Sequence, residues 1–116
     1  MRHADFEDVY RHGKRRAATH MTIFFLLRPE QSQSRLGLTV SRALGGAVAR
    51  NRIRRRMREA LRLSAPWPAG FDIVINPKKS AMDVGFKVLQ SEAARLLAAV
   101  AAGPHPISRA KAEGGA

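Results

Sequence analysis

Leu36-Gly37-Leu38-Thr39-Val40-Ser41-Arg42 and, after Ala43 and Leu44, Gly45-Gly46-Ala47-Val48-Ala49-Arg50-Asn51-Arg52-Ile53-Arg54-Arg55 form the stretch on which the fold turns. Its first part lies in a segment, Arg35 to Ser41, that alternates. Leu36, Leu38 and Val40 share one side and Gly37, Thr39 and Ser41 the other, the period-two pattern of a half-buried strand. Gly45-Gly46 then breaks the chain. From Ala47 to Leu63 the period changes. Ala49, Ile53, Met57, Ala60 and Leu61 recur at spacings of three and four, which gathers them into the apolar stripe by which a helix docks on a sheet.

The opposite side of that helix collects Asn51, Arg54, Arg55, Arg58 and Arg62. Glu59 is the one carboxylate available to seven arginines in the run. A solvated helix face ordinarily mixes the two signs, because like charges four apart repel by a few tenths of a kcal/mol per pair. Here the compensation is left out, so anions from outside are expected to supply it, and guanidinium forks suit phosphate oxygens. The pattern points first to nucleic acid. A merely solvated basic face, or an anionic membrane or acidic protein surface, is the blander reading. Arg50 and Arg56 fall nearer the apolar stripe, where they serve either as contacts or as a packing margin.

Composition sets bounds on these readings. With 116 residues, 45% of them hydrophobic, the chain has room for one domain with one modest core. The 21 Lys and Arg against 9 Asp and Glu leave a formal charge of +12, best accommodated beside a polyanion. The absence of cysteine excludes a disulfide framework, a thiolate nucleophile and a cysteine zinc site. No apolar run approaches the ~20 residues that span a bilayer. Met1 to Phe6 lacks the apolar segment of a secretory signal. A cytoplasmic protein without a membrane partner is expected.

Working outward, Ala4 to His12 reads as a short helix with Phe6, Val9 and Tyr10 on one side, Asp5, Glu7 and Asp8 early, Arg11 and His12 late, and Gly13 as its stop. Lys14 to Arg16 reads as a basic turn. His20 to Arg28 is a strand ended by Pro29, expected to pair with Arg35 to Ser41 as a hairpin across the polar connection Glu30 to Ser34. Pro66-Trp67-Pro68 and Gly70 close the long helix, with Trp67 covering its end. Phe71 to Ile75 is a buried strand, and Ser80 with Asp83 resembles a capping box opening a helix to about Ala102. The domain is expected to span residues 1–102, with a disordered tail from Gly103 to Ala116. His3, His12, His20 and His105 are scattered, and Asp5, Glu7 and Asp8 suit a helix N-terminus better than a metal. No catalytic residue and no metal ligand is expected in the chain.

These residues together resemble a family. The glycine turn and Arg50-Asn51-Arg52 motif, the strand before them, Phe6, Tyr10 and Gly13 in the first helix and Phe71-Asp72-Ile73-Val74-Ile75 are similar to the pattern of the bacterial ribonuclease P protein subunit, from about Ala4 to Ala102. The resemblance implies an α+β single domain of order α-β-β-β-α-β-α. This sandwich is similar to the second domain of a small-subunit ribosomal protein, with a left-handed β-α-β crossover that runs against the general rule. It implies two partners, ribonuclease P RNA and precursor tRNA, and a monomer within a 1:1 ribonucleoprotein. The RNA subunit, with Mg²⁺, cuts the 5′ leader from the tRNA, while the protein holds no cofactor of its own. Arg50, Asn51, Arg52, Arg54, Arg55, Arg58 and Arg62 would contact the catalytic RNA. Phe6, Tyr10, Phe24 and Thr39 would line a cleft for the single-stranded leader, although an aromatic pair one turn apart is also what a core helix presents. The chain departs from the family pattern at Arg54, where Lys is usual, and at Ala43, where a second basic residue often stands. A ribosome-associated structural RNA-binding protein is the alternative; it would have no evident use for Phe6, Tyr10 and Phe24.

Overall fold

The computed structural model describes residues 2–102. In chain order these form α1 (His3–His12), β1 (Lys14–Ala17), β2 (Met21–Leu27), β3 (Arg35–Leu38), a 3-10 turn (Arg42–Leu44), α2 (Ala47–Arg62), β4 (Phe71–Pro77), a second 3-10 turn (Lys79–Met82) and α3 (Phe86–Ala102). The strands make one mixed sheet in the order β1-β2-β4-β3, as the α+β expectation requires. The disordered tail expected from Gly103 lies outside the described residues.

Two expectations about pairing are overturned. β2 and β3 do not form a hairpin, because β4 lies between them, antiparallel to β2 and parallel to β3, so that Ile75 stands opposite both Ile23 and Leu38. The alternation in β3 identifies a strand but not its neighbour. The neighbour is decided by α2, which is long enough to carry the chain back for a parallel crossover. The hairpin is instead β1–β2, with Arg15 opposite Phe24, and Lys14 to Arg16 is therefore strand rather than turn. Its basic composition hid it. All four β1 residues are exposed, and charge on an edge strand deters further pairing.

Alternation divides the sheet into two faces. Met21, Ile23 and Phe25, Phe71, Ile73 and Ile75, and the half-buried Leu36 and Leu38 meet the stripe of α2 and the apolar side of α3 in one core. Ile53, Met57 and Leu61 of α2 are buried there, and each contributes about 1.5–3 kcal/mol on leaving water. That exceeds the few tenths of a kcal/mol of each arginine–arginine repulsion, so the helix docks despite its charge. Among the described residues no helix is long and apolar enough to cross a membrane.

The third helix opens at Phe86 rather than at Ser80. The Ser80 hydroxyl is engaged with the His20 ring, 2.8 Å from Nδ1, rather than capping a helix. Arg56 explains the shift. Its Nη1 donates to the carbonyls of Ala81 (2.8 Å) and Met82 (2.6 Å), and its Nη2 to that of Val84, taking acceptors that a continuous helix would use internally.

The other face of the sheet carries α1, of which only Val9 is fully buried. The helix lies close because Gly13 has no side chain. A Cβ there would stand 2.5 Å from the Val9 carbonyl oxygen and 2.6 Å from that of Phe25, both backbone atoms that cannot swing aside. Gly13→Ala is therefore expected to lose about 1–3 kcal/mol, the usual cost of overpacking, as a lower urea midpoint with an unchanged slope. Stability equal to wild type would mean that the approach of α1 is not tight.

Candidate RNA interface and leader cleft

The structure sorts the seven arginines of α2 by what each side chain does. Arg56 is a packing residue, spent on the turn before α3. Arg50 is half-buried, and its Nε has no hydrogen-bond partner, which places it at the margin of the core. Arg62 is exposed but held by Glu59, Nη2 to Oε2 at 2.6 Å and Nε to Oε1 at 3.1 Å. This fork holds the Glu59 carboxyl below the usual carboxylate range. Arg54 is half-buried and donates from Nη1 to Asn51 Oδ1 at 2.6 Å, which orients the amide. Arg52, Arg55 and Arg58 are exposed, with no salt bridge among the described residues. Asn51, Arg55, Arg58 and Arg62 thus lie exposed on the side away from the buried Ile53, Met57 and Leu61, as the spacing predicts, while Arg54, expected on the same face, is half-buried and lines a groove with Leu61. The charge left uncompensated centres on Arg52, Arg54, Arg55 and Arg58.

On the opposite side of the sheet, a groove of about 350 Å³ is lined by His3, Phe6, Glu7 and Tyr10 of α1 and by Thr39, just past the end of β3. Tyr10 is 39% exposed, and Phe6 is half-buried and outside the core cluster. The two aromatics border the groove. The Tyr10 hydroxyl donates to Asn76 Oδ1 at 3.0 Å and lies 3.4 Å from Thr39 Oγ1. Its ring meets Phe24 edge-on, with centroids 4.8 Å apart. Tyr10, Phe24 and Thr39 therefore come together from three elements, and Phe6 lines the same groove. Sequence reasoning missed Asn76. It lies beyond the Ile75 boundary expected for the strand, and the alternation of β4 puts it on the α1 side only once that strand is extended to Pro77.

A buried ionic network holds α1 in place. Asp72 on β4 has no solvent exposure. Arg35 donates to it twice, Nε to Oδ1 at 2.8 Å and Nη2 to Oδ2 at 2.7 Å; Arg28 donates from Nε to Oδ2 at 3.0 Å, and Gln31 from Nε2 to Oδ1 at 3.3 Å. Both arginines then continue to the helix, Arg28 to Asp8 at 2.6 Å and Arg35 to Asp5 at 3.4 Å. The early acids of α1 thus act as anchors as well as suiting the helix dipole. Burial opposes ionisation of Asp72, but the hydrogen bonds from Arg35 and Arg28 outweigh it and hold the carboxyl below the usual range. Those bonds to Asp72 likewise raise both guanidiniums.

Asp72→Asn is expected to cost about 3 kcal/mol at pH 7. This is the low end for breaking a buried pair, because the Arg35 side chain is 42% exposed and water screens it. A carboxyl lowered in the folded state contributes stability above its unfolded value, near 4, and loses that contribution as pH falls through the lower folded value. Urea titrations from pH 7 down to pH 2 should show the difference between wild type and variant shrinking in the acid range. A difference that stays constant would show that Asp72 is not ionised in the fold.

Fold and charge together define a small basic α+β RNA-binding domain. The family model described as Ribonuclease P matches residues 1–101. A ribonuclease P protein component from Clostridioides difficile is 40% identical over 86 residues, 72% of this chain and 75% of that protein. The ribonuclease P protein from Thermotoga maritima superposes with a TM-score of 0.74 at 31% identity, covering 84% of this chain and 93% of that one. That from Staphylococcus aureus does so at 0.71 and 27%, covering 87% and 92%. The chain belongs to the ribonuclease P protein family. Membership carries RNA binding and an accessory part in the tRNA-processing work of ribonuclease P.

Proposed function

We propose that this chain is the subunit that binds the catalytic RNA of ribonuclease P through the arginine face of α2 and the single-stranded 5′ leader of precursor tRNA through the groove between α1 and the sheet. The phosphodiester is cut by the RNA with its Mg²⁺, and the protein contributes affinity and position, as a monomer in a 1:1 cytoplasmic ribonucleoprotein. The observation that carries the reading is the Tyr10–Phe24 pair. The Tyr10 ring is tied through its hydroxyl to Asn76 and packed edge-on against Phe24, so it is held in place, with Phe6, at the border of a groove of about 350 Å³. Stacking on such rings is worth roughly 1–3 kcal/mol per base and tolerates any sequence, which suits a subunit that serves many precursors. A ribosome-associated structural role would leave this groove unused.

On α2, Arg52, Arg55 and Arg58 offer exposed guanidiniums without carboxylate partners, and phosphates are the anions that fit them. Arg58→Ala should weaken binding to ribonuclease P RNA and lower the magnitude of the log–log salt slope by ~0.7–0.9, the share of one neutralised phosphate. An unchanged slope would remove Arg58 from the interface. On the groove, Tyr10→Ala should weaken precursor tRNA by roughly 1–3 kcal/mol and leave mature tRNA, which has no leader, nearly unaffected. Equal losses for the two substrates would show that Tyr10 only stabilises the fold.

A further inference from the structure

A second groove, of about 450 Å³, lies between α2 and the open edge of the sheet. Its volume falls in the ~300–1,000 Å³ range typical of small-molecule sites. Leu36 and Leu38 of β3 and Leu61 of α2 give it an apolar lining, Trp67 stands at one side, and Arg54, Arg58 and Arg62 border it. β3 is an edge strand, so none of the described strands closes this side.

We propose that this groove accepts an unstacked nucleotide of the catalytic RNA, its base against Trp67 and its phosphates on Arg54 and Arg58. The inference rests on the reading that the arginine face of α2 meets that RNA. Trp67 is suited to the task because its ring is anchored. Nε1 donates to the Leu61 carbonyl at 2.9 Å, yet the residue remains 36% exposed. The same bond places Trp67 at the end of α2, as expected from the sequence, and leaves part of the ring open. Charge selects the occupant. Glu59, the one carboxylate of α2, is engaged by Arg62, leaving Arg54 and Arg58, which have no salt bridge among the described residues, as cations beside an apolar surface. An apolar base carrying a phosphate satisfies both at once. A second copy of a chain with a formal charge of +12 would bring like charge to the same place.

Trp67 is the single tryptophan of the chain, so its emission reports on the groove without labelling. Titrating the full chain with a bacterial ribonuclease P RNA should quench that emission and shield the ring from acrylamide. Ala65→Glu, at an exposed position lining the groove, should abolish the shielding and weaken RNA binding about tenfold, provided its thermal melt shows it folded. RNA binding with Trp67 emission and acrylamide access unmoved overturns the inference. If Arg58→Ala still lowers affinity in that case, the α2 face stands as the interface and only the groove is lost. Failure of the wild-type chain to bind the RNA overturns both. Quenching that tracks protein concentration without RNA assigns the groove to a second copy and also overturns it.

Discussion

The carboxylate of Asp72 is shut off from solvent, and both arginines that neutralise it extend beyond it to α1. A charge in that position is tolerable only while its partners stay in place, so the placement of the helix is tied to the ionisation of a residue in the sheet. Gly13 permits the same close approach from the other end of α1. Helix and sheet, held at two points, leave a groove bordered by Phe6 and Tyr10, and the Tyr10 ring is fixed by a hydrogen bond and an edge-on contact with Phe24 rather than by burial. The geometry of the groove therefore follows from electrostatics on one side of the sheet, while most of the apolar core lies on the other.

The second helix serves both sides of that division. Its buried stripe completes the core, Arg56 closes the turn before α3, Arg50 sits at the core margin, and Arg52, Arg55 and Arg58 face outward with no salt bridge among the described residues. The apolar stripe outweighs the repulsion, so the helix carries its charge into the free protein at a tolerable cost. An external anion that neutralised the helix would also remove a local destabilisation.

Much of this was legible in the residues. The period of α2 predicted both its buried and its exposed sides, and the start of β3 and the strand character of β2 followed from alternation and composition. What stayed hidden was long-range. Strand alternation says which face a residue takes and nothing about which strand lies beside it, so the insertion of β4 between β2 and β3 required the crossover through α2. The basic β1 resembled a turn because its side chains all face water. Arg56 lay at the edge of the stripe, and only the three carbonyls brought to it from after β4 distinguish it from the outward-facing arginines. Asp72 looked like one acid in an apolar strand; its partners Arg28 and Arg35 are 44 and 37 residues away in the chain. The aromatic pair of α1 was compatible with core or cleft from spacing alone; in the fold Val9 is the residue that α1 buries, with Tyr10 exposed and Phe6 half-buried.

If the protein assists a catalytic RNA without performing the cleavage, as proposed, reconstitution of the two components restores activity that neither has alone. Purified protein is added to a bacterial ribonuclease P RNA at a Mg²⁺ concentration too low for the RNA to act alone, and removal of the 5′ leader from precursor tRNA is followed. Cleavage that requires both components is the predicted result. Robust cleavage by the protein without RNA, or an RNA whose activity the protein does not raise, would contradict it.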